Sequence, residues 1–139
     1  FTSAYATLLE AVVATLKGSL VPGTVTGVYS DRVPPRTQAP YIVCMQVGDS
    51  REWTTTAADY IDTGMMQVAV YAAGKRAARV VADSIAATLN DASLTFDEGV
   101  LMLLRQESRV SEMDADRDPA GSPLWAETRT FQYKFSSGL

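Results

Sequence analysis

The sequence predicts an α+β fold: an antiparallel sheet with two helices packed on one face, in the order α-β-β-β-α-β-β. Three observations predict it. Two segments carry apolar residues at helical spacing. Five others are short and either β-branched or alternating. Consecutive strands follow one another without a helix between them, which favours antiparallel pairing and leaves both helices to cover the sheet. The length of 139 residues fits one domain over residues 1–139. A chain of this size buries roughly 70% of the surface its unfolded form exposes, enough for a core without metal or disulfide staples.

The first helix is expected at residues 3–17. Tyr5, Leu8, Leu9, Val12, Val13 and Leu16 make its apolar stripe, Thr2 or Ser3 can cap it, and Gly18 after Lys17 is a stop signal. Thr24 to Tyr29 reads as a short strand. The stretch with Pro34, Pro35 and Pro40 excludes regular pairing. Tyr41 to Val47 is apolar on both faces and suits a central strand covered on both sides. Residues 48–63 are polar and read as a long excursion or an extended hairpin. Met65 to Ala72 is the third strand, with Met66, Val68 and Val70 on one face.

The second helix is expected from Lys75 to Asn90, burying Ala78, Val81, Ala82, Ile85 and Leu89. Val100 to Val110 starts apolar and turns polar after Arg105. Ser111 to Pro123 reads as an acidic, turn-rich loop. From Trp125 to Phe135 the strand alternates, with Phe131, Tyr133 and Phe135 on one side and Thr128, Thr130, Gln132 and Lys134 on the other.

Composition excludes several functions. Sixteen Asp and Glu outweigh 12 Lys and Arg, for a net charge of −4, so counterion release on nucleic acid is not the driving force of this chain. There is no histidine and one cysteine, which removes Ser-His-Asp and Cys-His catalysis and thiolate metal clusters. No apolar run approaches the ~20 residues that span a bilayer. No signal-peptide pattern is expected, because Glu10 interrupts the first apolar segment; a chain that begins at Phe1 fits a trimmed start.

The remaining candidates are few. Cys44 lies mid-strand and reads as a small core residue. Gly74-Lys75 lacks the other residues of a phosphate loop and reads as a turn followed by a solvated charge. Asp114, Asp116 and Asp118 alternate like the start of a calcium loop, but Pro119 stands where that loop needs Gly and Trp125 where it needs Glu. A solvated hairpin loop is the plainer reading. Asp97 and Glu98 are adjacent in a turn and diverge. Arg51, Glu52 and Trp53 in the polar excursion, Asp114, Asp116 and Asp118 in the acidic loop, and Trp125 beside it are candidate interface residues: long polar loops suit contacts with neighbouring subunits, and Trp supplies area at modest entropy cost. The alternative for both tryptophans is local core.

Val28-Tyr29-Ser30-Asp31-Arg32-Val33-Pro34, followed by Ala39-Pro40-Tyr41-Ile42-Val43, resembles the start of the tail terminator and tail completion proteins of long-tailed bacteriophages. Gln67 to Tyr71 before a helix with Ala82, Asp83, Ile85 and Leu89 is similar to the family's strand and second helix. The Asp118-Pro119-Ala120-Gly121 segment before an aromatic strand fits as well. Ser30 departs from the pattern, which more often has Asp after the Tyr, and the counterpart of Trp53 to Asp62 varies.

The resemblance implies a structural virion protein with no catalytic residues and no cofactor. It implies a hexameric ring that caps the tail tube at the head-proximal end and meets the head-completion or connector proteins. DNA would pass through the ring without specific binding, and assembly would take place in the host cytoplasm, away from membranes. The alternatives are a head-completion or neck protein, a tail-tube subunit or, from another class, a calcium- or small-ligand-binding module.

Overall fold

The structure, a computed structural model, describes residues 8–19, 25, 27–30, 40–53, 60–90, 100–117 and 123–136. In chain order they form α1 (Leu8–Ser19), β1 (Val28–Ser30), β2 (Tyr41–Trp53), β3 (Tyr60–Ala72), α2 (Lys75–Leu89), β4 (Val100–Arg117) and β5 (Pro123–Ser136). The α+β class and the order α-β-β-β-α-β-β are those the sequence predicts. The five strands make one sheet in the order β1-β2-β3-β5-β4.

Four details differ from expectation. The β1–β2 pair is parallel, with Val28 opposite Ile42 and Ser30 opposite Cys44. A three-residue strand needs the chain to return only roughly 10 Å before it pairs again. Residues 31–40 are enough chain to cover that distance. Second, the central strand is β3, not β2. The outer neighbour of β2 is the short β1, and among the described residues no helix covers the second face of β2.

Third, α1 continues through Gly18 to Ser19. The expected residues 3–7 and the caps Thr2 and Ser3 lie outside the described residues, as do Pro34, Pro35, Asp97 and Glu98. Fourth, the expected 111–123 loop is mostly strand. Pairing continues through Ser111↔Glu127, Glu112↔Ala126 and Met113↔Trp125 to Arg117↔Pro123. Its polar residues do not mark a turn, because β5 is anchored by the core and carries its neighbour outward with it.

Register explains the faces, since residues directly opposite in an antiparallel pair point the same way. Ile42 and Cys44 on β2 lie opposite Val70 and Val68 on β3. Val68 and Met66 in turn lie opposite Arg129 and Phe131 on β5. That face meets both helices. α1 packs over β1 and β2, and α2 over β3, β5 and β4. Each helix buries the stripe its spacing dictates: Ala11, Val12 and Leu16 from α1, and Ala78, Val81, Ala82, Ile85, Ala86 and Leu89 from α2. They close over Ile42, Cys44, Met66, Val68, Val70, Leu104, Phe131 and Tyr133 in one core.

Hydrogen bonds fix the second helix against the sheet. Asn90 ends α2, its N–H donating to the Ala86 carbonyl at 2.9 Å. The Asn90 side-chain oxygen accepts from the backbone N–H of Gln106 at 2.7 Å, where β4 shifts register. A helix capped onto an edge strand is held by more than its apolar stripe.

Candidate functional site

The arrangement places the candidate residues in three regions. The first is the β2–β3 hairpin. A register shift between Gln46 and Gly48 leaves Val47 as the extra residue of a bulge. Around it Met45, Val47 and Met65 are exposed, Val47 at 52%. The bulge is held from behind. Gln46 Nε2 donates to the Tyr133 hydroxyl. Gly64 sits where a Cβ would strike the Gly48 carbonyl and, at 2.7 Å, the Tyr133 hydroxyl. Further out, Arg51 donates through Nε and Nη2 to both Asp62 oxygens at 2.8 and 3.2 Å. Pairing then continues through Glu52↔Ile61 to Trp53↔Tyr60. The 48–63 segment is therefore the extended hairpin of the two sequence alternatives. Arg51 makes a cross-strand ion pair. For Glu52 and Trp53 the backbone position alone is described.

The second region is the β4–β5 hairpin. Asp114 and Asp116 are strand positions, Asp114 opposite Leu124, and Asp118 lies outside the described residues. An extended ladder does not wrap its side chains around one ion as a calcium loop does. Among the described residues no group of three or more His, Cys, Asp or Glu is placed to hold a metal. Trp125 packs against the core, half-buried, with Lys75 Nζ 5.8 Å from its ring centroid. The local-core alternative describes it. The candidates are not brought together: Arg51, Glu52 and Trp53 sit on one hairpin and Asp114, Asp116 and Trp125 on another.

The third region escaped the sequence reading. Arg129 on β5 is 2% exposed and Glu127 0%. The Arg129 guanidinium donates to Asp83 Oδ1 on α2 at 2.7 Å, to Gln106 Oε1 on β4 at 3.0 Å and to Glu127 Oε2 at 3.3 Å. Glu127 Oε1 is buried with no partner among the described residues. The Arg129 hydrogen bond is the main cause that holds the Asp83 carboxyl below its ordinary range. The charges of Arg129, Arg109 and Arg79 act in the same direction, against a smaller effect of desolvation. A signal was available: in a strand Glu127 and Arg129 must face the same way as Phe131. This network clamps α2 to two strands. It offers no nucleophile, and each of the three guanidinium nitrogens already donates a hydrogen bond. Cys44 is likewise buried, and desolvation pushes its thiol up to about 12.

The described residues form a scaffold with two long hairpins. The family model for Tail completion protein gp17 matches residues 8–130. The chain belongs to this tail completion family. Its role is structural, in the tail of a phage-like virion. Comparison with curated protein sequences returned no match. Among solved structures, a chain from the virion of a native gene transfer agent particle is similar, with a TM-score of 0.69 and 18% identity. The match covers 93% of this chain and 94% of that one, so the tail completion chain and that virion protein share a fold over nearly their whole lengths. No helix of the described residues is long and apolar enough to cross a membrane.

Proposed function

We propose that this tail completion protein is a tail terminator. Six copies close into a ring on the last ring of tail tube protein, at the head-proximal end of the tail. The outer surface of the ring receives the head-completion or connector proteins. The chain works as a single domain and catalyses nothing. It assembles in the bacterial host cytoplasm, and DNA crosses the ring without being gripped, which suits a subunit of net charge −4.

The observation that carries this reading, beside the family match, is the exposed apolar strip of Met45, Val47 and Met65. It lies on a hairpin stiffened by the Arg51–Asp62 pair. Large apolar side chains on a rigid ladder supply contact area with little entropy left to lose. A ring also needs two different patches that meet head to tail with a rotation that closes. Two hairpins at separate places on the sheet suit that requirement.

Shortening either hairpin tests it. Removal of residues 54–59 or of residues 118–122 should leave a folded chain that no longer assembles, read by light-scattering mass. If both shortened chains assemble normally, the hairpins are not the contacts. Open polymers of unlimited length in place of a ring would favour a tail-tube subunit.

A further inference from the structure

Charge is unevenly spread over this acidic chain. Lys75, Arg76 and Arg79 open α2 and are exposed. Arg109 on β4 lies opposite Arg129 in the sheet register, on the helix side, and is exposed too. The first turn of α2 has no acidic residue, and Gly74 makes no side-chain cap. The helix dipole therefore adds to the positive potential instead of being neutralised. Asp83 is already committed to Arg129. On this flank Val80 is 60% exposed, adjacent to Arg79 and one turn from Arg76. An exposed apolar side chain bordered by arginines has the composition of a protein contact, where Arg is enriched and Lys and Glu are depleted.

The matching charge is on the same chain, displaced along β4 from Arg109. Glu112, Asp114 and Asp116 ride on the outer part of β4, which pairs with β5 as far as Arg117↔Pro123. An extended strand separates Asp114 from Arg109 by roughly 16 Å. The hairpin has passed beyond β3 by then, since Ala72↔Trp125 is the last β3–β5 pair.

We propose that the basic flank of α2, centred on Arg79, Val80 and Arg109, is the docking surface for the acidic β4–β5 hairpin of a second copy of the chain. The proposal rests on the ring reading above and supplies its head-to-tail contact, one patch meeting a different patch on the neighbour. Opposite charge on the two patches fixes the register and disfavours patch-on-patch or hairpin-on-hairpin pairing.

Two full-length variants test it. One carries Arg76→Glu, Arg79→Glu and Arg109→Glu, so patch and hairpin are both negative. The other carries Asp114→Arg and Asp116→Arg, so both are positive. Sedimentation velocity, alone and with tail tubes, should find wild-type assembly weakened by added salt. Each variant alone should associate about tenfold or more weakly than wild type, because like charges then meet. An equimolar mixture should recover assembly with the two variants alternating. Thermal melting of each variant within a few degrees of wild type excludes misfolding as the cause.

Three results overturn the proposal. Either variant may assemble alone as wild type does, which leaves the ring intact but moves its contact elsewhere. The variants may fail alone and fail equally when mixed, which shows that the two patches do not meet. Or the wild type itself may stay at the 15.0 kDa of one copy under every condition, which removes the ring reading as well.

Discussion

Replacing Arg129 with Met is the most informative change to the fold. Met keeps much of the aliphatic stem and its packing but removes every guanidinium donor. Asp83, 61% exposed at its side chain, turns to water. Gln106 is half-buried and finds water as well. Glu127 cannot: it is 0% exposed and loses the partner of its Oε2, while Oε1 already has none among the described residues. The cost is that of an uncompensated buried charge, about 3–5 kcal/mol. For a chain of this size that lowers the melting temperature by roughly 10–20 °C. Urea denaturation followed by far-UV circular dichroism measures it. The double variant Glu127→Leu with Arg129→Met removes both charges and should recover to within about 1–2 kcal/mol of wild type. A single variant that loses less than about 1 kcal/mol, or a double variant no better than the single, would refute the reasoning.

The other predictions concern single positions. Gly64→Ala forces a Cβ against the Gly48 carbonyl and the Tyr133 ring, so denaturant midpoints should show a loss of about 1–3 kcal/mol. Native protein should react with a thiol reagent at pH 8 no faster than it unfolds, since the Cys44 thiol is buried and its pKa is pushed up to about 12; labelling at the rate of a free thiol contradicts this. The depressed Asp83 carboxyl contributes stability that is present above its ordinary value of 3.8 and is lost as pH falls through the lower folded value. Below pH 3.8 wild type should therefore lose stability more steeply than Asp83→Asn, and equal slopes would contradict it. Arg51→Ala should cost under about 1 kcal/mol of stability, because the Arg51–Asp62 pair is partly exposed, yet impair assembly more than folding.

Much of the fold was legible in the sequence because period and burial coincide. The α2 stripe from Ala78 to Leu89 and the Phe131, Tyr133 alternation each face one core, so spacing alone names the buried side. The strands beyond the core were not legible. Ser111 to Arg117 is polar and acidic, and such a run in a paired strand has the composition of a loop. The parallel β1 was hidden for another reason: strand order within a sheet is a long-range fact, and three residues carry no directional signal.

The candidate site was legible in part. Arg51 and the acidic residues of β4 mark the two hairpins, while Trp125 packs half-buried against the core. The Arg129 network was overlooked because the alternation was followed only from Thr128 onward and Glu127 and Arg129 were given no side. The alternation counted back from Phe131 places both indoors. The exposed Met45 and Val47 were hidden by their own neighbours: an apolar run looks the same whether a helix or a second protein covers it.

The central claim is that this chain spends its surface on other subunits. Light-scattering mass of the purified chain, alone and with tail tubes, tests it most directly. A closed ring of six 15.0 kDa copies has a mass of about 90 kDa, reached either alone or on the tube. A mass that stays at one copy in both conditions, with no material bound to the tube end, would contradict the account.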